Sequence, residues 1–455
     1  MTFSIIEPST GQVIGSYDEI SAAQASTIIA ATDRAYHAWR RLPFPERAAA
    51  MRRLAEHLRT GVDEYAHLMA REMGKPVREG RGEILKCAGT CDYYAEHAER
   101  SLARETVVTE ARKSFVTFQP LGVVLAIMPW NFPFWQVIRF AAPALMAGNG
   151  ALLKHAANVP GCALAIEDLF ERAGFPKDLF RTLMIDTHQV PAVITNPLVR
   201  AVTLTGSGAA GRTVAAQAGA QLKKCVLELG GSDPYLVLAD ADLEAAAAIC
   251  VKGRLVNAGQ SCIAAKRFVV VESVRERFEM LFVERMTAAR VGDPVDEETE
   301  IGPLARHDLR DALHRQVETS IALGARCLTG GAIPFGPGSY YPPTVLTNVT
   351  KGMPAYHEEL FGPVAAIIPV RDEAEAIEVA NDSDFGLGAA VLTRDVERGE
   401  RIAAESIESG SVFVNDAVRS DPRLPFGGIK TSGYGRELGT YGIKEFVNIK
   451  TVVVA

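Results

Sequence analysis

Apolar residues recur at helical spacing through most of residues 19–103, in stretches separated by short breaks such as Gly74-Lys75-Pro76. After Lys113 the pattern changes to short apolar runs that alternate with helical stretches. One run, Gly122 to Met128, is continuously apolar, which is typical of a strand buried on both faces of a parallel sheet. This alternation predicts a doubly wound α/β fold whose first part ends near Leu229.

The second half of the chain repeats this pattern and predicts a second α/β unit. The tail, residues 446–454, is an alternating strand that needs a partner, and another subunit is one source of it. The other predicted strands cover residues 114–119, 122–128, 151–154, 181–185, 199–205, 224–229, 268–271, 341–346, 365–370, 389–393 and 411–415. The helices predicted after residue 113 cover 134–147, 161–173, 211–220, 243–256, 274–289, 309–323 and 374–380.

The composition excludes several classes of protein. At 455 residues the chain is too long for one ordinary hydrophobic core, so two or three domains are expected. Its 48 Lys and Arg against 55 Asp and Glu give a net charge of −7, which argues against a nucleic-acid surface. No apolar run is long enough for a membrane span, and the start has no signal-peptide pattern.

The seven cysteines are scattered and odd in number, which is typical of reduced thiols in a cytoplasmic protein. Cys87 and Cys91 lie one helical turn apart, but no second pair completes four ligands, so no metal site is predicted. Cys262 differs, because it follows a Gly-Gln turn at the end of a predicted helix, where a bend exposes side chains. It is a candidate nucleophile, and a small buried apolar residue is the alternative.

Two further motifs end predicted strands. Asn131 stands between two prolines in Pro129-Trp-Asn-Phe-Pro133, and an amide without a competing charge is a good donor to an oxyanion. Glu228 begins Glu228-Leu-Gly-Gly231 at the carboxyl edge of a sheet, where α/β proteins bind ligands. With Cys262, the sequence offers a nucleophile, a base and an oxyanion donor at the ends of elements.

A glycine-rich motif lies between a predicted strand and a predicted helix. Gly206-Ser-Gly-Ala-Ala-Gly211 matches G-x-G-x-x-G, the dinucleotide fingerprint, in which glycines admit a pyrophosphate to the N-terminus of a helix. A plain helix-opening glycine turn is the alternative. The fingerprint would assign Glu228, about 20 residues on, to a ribose. Its place before a Gly-Gly turn favours the catalytic interpretation instead.

These motifs occur together in the order typical of the aldehyde dehydrogenase superfamily, which the chain resembles over almost its whole length. The resemblance implies Cys262 as nucleophile, Glu228 as general base and Asn131 as oxyanion donor. It also points to Glu437, for which a proton relay and an exposed surface charge both stay open. The resemblance rests on Pro129-Trp-Asn-Phe-Pro133, Lys154, Gly206 to Gly211, Glu228-Leu-Gly-Gly231, Gly259-Gln-Ser-Cys262, Glu359-Leu-Phe-Gly-Pro363 and Pro425-Phe-Gly-Gly428.

The resemblance implies a nicotinamide cofactor, NADP or NAD, and oxidation of a small aldehyde through a Cys262 hemithioacetal and thioester. Where the family has a glutamate that favours NAD, this chain has Ala157, which leaves room for a 2′-phosphate and favours NADP. For His155, a packing role and a contact with a phosphate both stay open. The implied cofactor residues are Trp130, Asn131, Lys154, Ala157, Gly206, Ser207, Gly211, Leu229, Glu359 and Phe361.

Within the superfamily, the segments around Lys154 and Glu228 are most similar to bacterial succinate-semialdehyde dehydrogenases. Two departures stand out: a further arginine of some members is Val256 here, and the second cysteine of a redox switch is Ala264. For Arg139 a plain helix-surface position is the alternative. The implied substrate residues are Trp135, Arg139 and Ser420, with Arg419 and Arg423 as helpers.

The resemblance finally implies three structural parts and a homodimer or homotetramer. Residues 1–99 and 120–229 would bind NAD(P), residues 230–425 would be catalytic, and residues 100–119 and 426–455 would serve oligomerisation. Alternatives are glutarate semialdehyde or a broad aliphatic aldehyde range as substrate, a Cys-Glu hydrolase that forms a thioester without nicotinamide, and an inert scaffold. The cofactor motifs disfavour the hydrolase, and the intact catalytic residues disfavour the scaffold.

Overall fold

Two mostly parallel β-sheets form the centre of the computed structural model, which describes residues 2–455. The strands are β1 Thr2–Ile6, β2 Val13–Asp18, β3 Glu105–Thr106, β4 Lys113–Pro120, β5 Val123–Met128, β6 Gly150–His155, β7 Phe180–Thr182, β8 Val199–Thr205, β9 Lys224–Glu228, β10 Asp233–Val237, β11 Ala265–Val271, β12 Arg326–Thr329, β13 Thr344–Thr347, β14 Val364–Val370, β15 Phe385–Gly386, β16 Gly388–Leu392, β17 Ser411–Val414, β18 Ile429–Lys430, β19 Gly433–Tyr434 and β20 Val447–Val454.

Helices cover both faces of these sheets, as the alternating pattern predicts. They are α1 Ala22–Trp39, α2 Phe44–Thr60, α3 Val62–Met73, α4 Val77–Ser101, α5 Trp135–Met146, α6 Pro160–Arg172, α7 Val190–Thr195, α8 Gly208–Ala220, α9 Leu243–Leu255, α10 Glu272–Ala288, α11 His307–Ala322, α12 Pro354–His357, α13 Glu373–Asn381, α14 Val396–Arg401 and α15 Gly439–Gly442. Over residues 2–455, no helix combines the length and apolar character that a membrane span requires.

The two large sheets have the strand orders of a doubly wound fold. The first runs β19-β9-β8-β5-β6-β7, and only β19 is antiparallel to its neighbour. The second runs β12-β13-β14-β11-β10-β16-β17, and only β12 is antiparallel. Strands β8 and β11 in their centres are almost wholly buried. The predicted α/β class is therefore confirmed.

The chain passes from the first sheet to the second through the four residues 229–232, which join the end of β9 to the start of β10, and it returns to the first sheet at β19. A link this short brings the carboxyl edge of the first sheet next to the amino edge of the second. A hydrogen bond spans the same junction, since the Gly231 N–H donates to Glu359 Oε1 at 3.0 Å just before β14. Ligand sites of open α/β sheets form at such carboxyl edges.

A third, three-stranded sheet accounts for the tail. Strand β20 pairs with β4 along its whole length, from Val447 opposite Pro120 to Val454 opposite Lys113, and β3 lies on the other side of β4. The partner strand that the tail requires is thus β4 of the same chain. The division into cofactor, catalytic and oligomerisation segments stays a prediction.

Most predicted elements are present, and the differences have local causes. Strand β8 has the predicted bounds, whereas α8 begins three residues early because Ser207 Oγ caps it by accepting the Ala210 N–H at 3.3 Å. The β1–β2 hairpin and β10 are not among the elements predicted from the sequence. Strand β10 spans only five residues and starts with Asp233-Pro234 directly after the Gly-Gly turn, so its local pattern is weak.

One buried carboxylate fixes the helix that follows the Asn131 loop. Glu83 on α4 accepts the N–H groups of Phe134 and Trp135 at 2.9 and 2.8 Å, which are otherwise unpaired donors at the start of α5. Its other oxygen is ion-paired with Lys75, whose side chain is 0% exposed. The Lys75 ammonium also lies 3.8 Å from the ring centre of Phe132. Glu83 therefore couples α4 to the loop that carries Asn131.

Replacing this carboxylate should destabilise the protein strongly. Glu83→Ala would leave Lys75 as an unpaired buried charge, and we expect the free energy of unfolding to fall by about 3–5 kcal/mol, as for other broken buried pairs. Urea unfolding followed by circular dichroism measures the loss. Glu96→Ala removes an exposed glutamate from the same helix and should change stability by less than about 0.5 kcal/mol. Equal effects of both substitutions would contradict this role of Glu83.

Candidate active site

The carboxyl edge of the first sheet gathers the polar residues that the sequence motifs singled out. The loop with Asn131 follows β5, Lys154 is near the end of β6, Ser207 follows β8 and Glu228 ends β9. These strands are parallel neighbours, so their ends lie side by side. Cys262 approaches from the other sheet, since it precedes β11 at the amino edge.

A strained turn sets the position of Cys262. Asn257, Ala258 and Gly259 have successive left-handed backbones, with φ values of 54°, 53° and 74°. Each non-glycine residue in this conformation costs on the order of 1 kcal/mol or more, so such strain persists only where surrounding groups hold it. Glycine is required at the third position, since a Cβ on Gly259 would lie 2.2 Å from the Gly362 carbonyl oxygen.

Side chains from two other elements and the side chain of Gln260, which follows the turn, hold this turn in place. The Asn257 N–H donates to the Glu79 carboxylate of α4 at 2.9 and 3.1 Å. Arg254 Nη2 at the end of α9 donates to the Gly259 carbonyl at 2.7 Å. Gln260 Oε1 accepts the Ala305 N–H at 2.9 Å. The turn is therefore a preorganised support for the cysteine rather than a flexible loop.

Asn131 is tied directly to this support. Its Nδ2 donates to the Gln260 carbonyl at 3.0 Å, and Asn257 Nδ2 donates to the Asn131 carbonyl at 2.7 Å. One N–H of the Asn131 amide stays available for a ligand. The Cys262 N–H also donates no hydrogen bond within residues 2–455, while its carbonyl accepts from Lys266 Nζ at 2.7 Å. Two N–H donors near the cysteine are thus unpaired.

The Cys262 side chain is partly exposed to a cavity of about 190 Å³, which takes a small organic molecule. The protein surrounds the sulfur on its other sides, and this burial raises the pKa of the thiol to about 12. The positive charges of Arg139 and Lys266 oppose the shift only in part. At neutral pH the resting thiol is protonated, so a reaction through sulfur requires a base.

Glu228 is a buried carboxyl group without a neutralising partner. It is 2% exposed, and neither carboxyl oxygen has a hydrogen-bond partner among the described residues. Burial and the neighbouring Glu437 carboxylate raise its pKa well above the ordinary value, with Arg139 and Arg436 opposing. Such a group is protonated at rest, and its anion is a stronger base than an exposed carboxylate.

Arg139 and Glu437 form a buried ion pair beside Glu228. Arg139 also donates from Nη2 to Thr205 Oγ1 at 3.3 Å, and its guanidinium lies 4.8 Å from the ring centre of Phe426. Arg139 is 2% and Glu437 4% exposed. The alternatives of a helix-surface arginine and of a surface glutamate are therefore wrong. Arg139 Nη1 makes no bond within residues 2–455, and the residue lines the Cys262 cavity.

The other predicted substrate residues lie around the same cavity, with one exception. Trp135, Ser420 and Arg419 line it, whereas Arg423 is exposed and paired with Asp421 at 2.6 Å. Arg423 is therefore not among the residues that line the cavity. Lys86 of α4 also lines the cavity, although no motif around it in the sequence predicts this.

The predicted cofactor residues lie at the carboxyl edge of the first sheet, except for Glu359 and Phe361, which lie just before β14 of the second sheet. The rings of Trp130 and Phe361 meet edge to face with centres 5.8 Å apart. Glu359, ion-paired with Lys266 at 3.5 Å, lines with Phe361 a second cavity next to α11. A Cβ on Gly211 would lie 2.6 Å from the Leu229 side chain, so glycine lets α8 pack closely against the end of β9.

Three residues in or just after β6 answer the questions that the sequence left open there. Lys154 is 6% exposed and makes no hydrogen bond or ion pair within residues 2–455, while Ala157 is exposed. His155 is buried between the carbonyl groups of Met128 and Pro133, and burial lowers its pKa to about 4. A neutral, enclosed imidazole is a packing residue, so a phosphate contact of His155 is not supported. No group of three or more metal-ligating side chains exists in the described part of the chain.

Comparison with known proteins gives one consistent result. A sequence model of the aldehyde dehydrogenase family matches residues 1–452. A probable NADP(+) succinate-semialdehyde dehydrogenase of Synechocystis sp. is 50% identical over 455 residues, with 100% of both chains covered. The NAD(P)+ succinate semialdehyde dehydrogenase Sad of Escherichia coli is 48% identical over 447 residues, 98% of this chain and 96% of that one. The crystal structure of succinic semialdehyde dehydrogenase from Streptococcus pyogenes in complex with NADP+ has a TM-score of 0.97 at 38% identity, covering 99% of each chain.

The strained turn yields a direct prediction. Gly259→Ala should lower catalytic turnover on the order of a hundredfold, because the new Cβ displaces either Cys262 or the Gly362 segment and a shift of about 1 Å has effects of that size. Steady-state kinetics on the purified variant measures this. Gly352→Ala is the matched control, since Gly352 also has a positive φ, 99°, but open space around its Cβ position. Similar losses in both variants would show that backbone strain alone, and not the packing of the cysteine turn, limits turnover.

Proposed function

Because the chain belongs to the aldehyde dehydrogenase family, we propose that it oxidises succinate semialdehyde to succinate with NADP or NAD. The observation that supports this substrate is the positive charge of the Cys262 cavity, which attracts a substrate with a carboxylate at its far end. No Asp or Glu of residues 2–455 lines it. The names of the relatives from Synechocystis and Escherichia coli support the same substrate. The cationic residues that line the Cys262 cavity are Lys86, Arg139, Lys252 and Arg419.

The residues at the carboxyl edge of the first sheet fit a dinucleotide. Lys154 is a buried ammonium without a protein partner, which favours a polar ligand there. The N-terminus of α8 after Gly206 and Ser207 provides N–H groups for a pyrophosphate. Ala157 adds no negative charge that would repel a 2′-phosphate, so NADP is the favoured cofactor. When bound, the oxidised nicotinamide supplies the hydride acceptor.

The first chemical step forms a bond between Cys262 Sγ and the aldehyde carbon. The thiol proton leaves to the anion of Glu228, the base assigned to this site, and the aldehyde oxygen becomes an oxyanion. The unpaired N–H groups of Asn131 and Cys262 donate to this oxygen, which is why their lack of protein partners matters. Loss of hydride from the adduct then leaves a thioester on Cys262.

Glu228 acts as the base in the hydrolysis of the thioester. Its anion takes a proton from water, and the hydroxide oxygen replaces sulfur on the carbonyl carbon, which releases succinate and the thiol. Burial and the nearby Glu437 make this anion strongly basic. Glu437, held by Arg139, is placed to pass the proton on, which supports the relay interpretation of that residue.

The substrate assignment is tested by comparing kcat/KM, with NADP and with NAD, for succinate semialdehyde, for glutarate semialdehyde and for pentanal, an uncharged aldehyde of similar length. Cleavage of an ester is measured in parallel. A charged hydrogen bond is worth about 1.5–3 kcal/mol, so the semialdehyde should be preferred by about tenfold or more. Preference for glutarate semialdehyde, or equal values for all aldehydes, would overturn the substrate. Ester cleavage without any nicotinamide reduction would favour the hydrolase.

The nucleophile is tested by substitution. Cys262→Ala should abolish aldehyde oxidation but retain NADP binding, since the predicted cofactor residues lie apart from the sulfur; activity and binding are measured by absorbance and by calorimetry. Cys327→Ala is the control, because Cys327 is also a partly exposed thiol but lies on β12 at the edge of the second sheet. Oxidation that persists in Cys262→Ala would contradict the assignment.

A further inference from the structure

The cations of the Cys262 cavity differ in whether the protein already neutralises them. Arg139 is ion-paired with Glu437, and Arg419 with Asp416. Lys86 has no ion pair within residues 2–455, because the nearest glutamate on its own helix, Glu83, is already paired with Lys75. Lys252 also has no ion pair among the described residues, but it is exposed at the rim of the cavity. Lys86 is therefore the uncompensated positive charge that the protein shields in part from solvent.

The protein holds the Lys86 ammonium at a defined point. Its Nζ donates to Ser420 Oγ at 2.7 Å and lies 4.1 Å from the ring centre of Trp135. An ammonium has three N–H donors, and only one of them is used here. Ser420 accepts this bond and so keeps its hydroxyl hydrogen free to donate. Two donors, one of them charged, thus lie together on the cavity wall.

This arrangement fills a gap in the sequence. Where the family resemblance implies a further arginine in some members, this chain has Val256, an apolar residue that lines the same cavity. Lys86 comes from a different element, α4, and is 334 residues from Ser420 in the chain. Its α4 is fixed against α5 by Glu83, which keeps the ammonium and Trp135 in register.

We propose that Lys86, together with Ser420, binds the far carboxylate of the substrate and takes the place of the arginine missing at position 256. This inference rests on the proposed oxidation of a carboxylated aldehyde. Arg139, whose charge Glu437 already balances, then contributes a directional hydrogen bond from Nη1 rather than the main attraction.

The charge of Lys86 makes substrate binding dependent on pH. Burial, and to a smaller extent the positive charge of Arg139, lower the pKa of Lys86 to about 8, although Cys87, Glu83 and Asp421 oppose the shift. Lys252 and Arg419 face the same cavity from α9 and from the loop after β17. Below pH 8 the ammonium is charged and available; as pH rises above 8 it becomes neutral. The KM for succinate semialdehyde should therefore rise above pH 8, and that for pentanal should not follow it.

Substitutions separate this role from a general effect of charge. In Lys86→Met the ratio of kcat/KM for succinate semialdehyde to that for pentanal should fall about 10- to 100-fold, the range for losing one charged hydrogen bond. Lys252→Met removes an exposed cation from the rim of the cavity and should lower the ratio far less, since solvent screens it. Lys86→Arg, which stays charged, should keep a high ratio and a flat KM between pH 7 and 9.

The outcomes separate a failure of the proposed substrate from a failure of the proposed role of Lys86. If the wild-type enzyme does not prefer succinate semialdehyde, the proposed substrate fails. If it does, and Lys86→Met keeps the ratio or Lys252→Met loses as much, the role of Lys86 is overturned. Should Lys86→Met not fold, as judged by circular dichroism, the KM profiles of wild type and Lys86→Arg decide, and parallel profiles would overturn the proposal.

Discussion

The site depends on one strained turn. Asn257, Ala258 and Gly259 adopt left-handed backbones that the chain alone would not favour, and Gly259 packs so closely on Gly362 that no side chain fits between them. Groups from α4, α9 and the Asn131 loop hold the turn by hydrogen bonds. The nucleophile, its oxyanion donors and the segment before β14 consequently move as one unit, which keeps the reacting atoms in register.

Charge compensation divides the buried and half-buried charged groups into structural and ligand-binding ones. Lys75 is satisfied by Glu83, and Arg139 by Glu437, so these pairs support the fold and the site wall. Lys154 and Lys86 have no such carboxylate and lie where a cofactor and a substrate are proposed to bind. Leaving a buried cation without a partner is unfavourable, and a ligand that supplies the missing anion relieves that cost.

Sequence patterns predicted what depends on local chemistry. Apolar runs gave β8 within its observed bounds, and glycine-rich or proline-bounded motifs placed Asn131, Ser207 and Glu228 at strand ends. They could not predict contacts between distant parts of the chain. The Arg139–Glu437 pair and the Lys86–Ser420 bond each join residues about 300 positions apart, and both residues of each pair carry no local signal of burial. Strand β10 was missed because tertiary packing, not its own pattern, makes it a strand.

The most direct test of the account is to trap its covalent intermediate. Glu228→Gln keeps the size of the side chain but removes the base that the thioester requires for hydrolysis. The variant is mixed with succinate semialdehyde and NADP, quenched in acid, digested and analysed by peptide mass spectrometry. We expect a succinyl group attached to Cys262, formed together with reduced cofactor. Reduced cofactor without an acylated cysteine, or an acyl group on another residue, would contradict it.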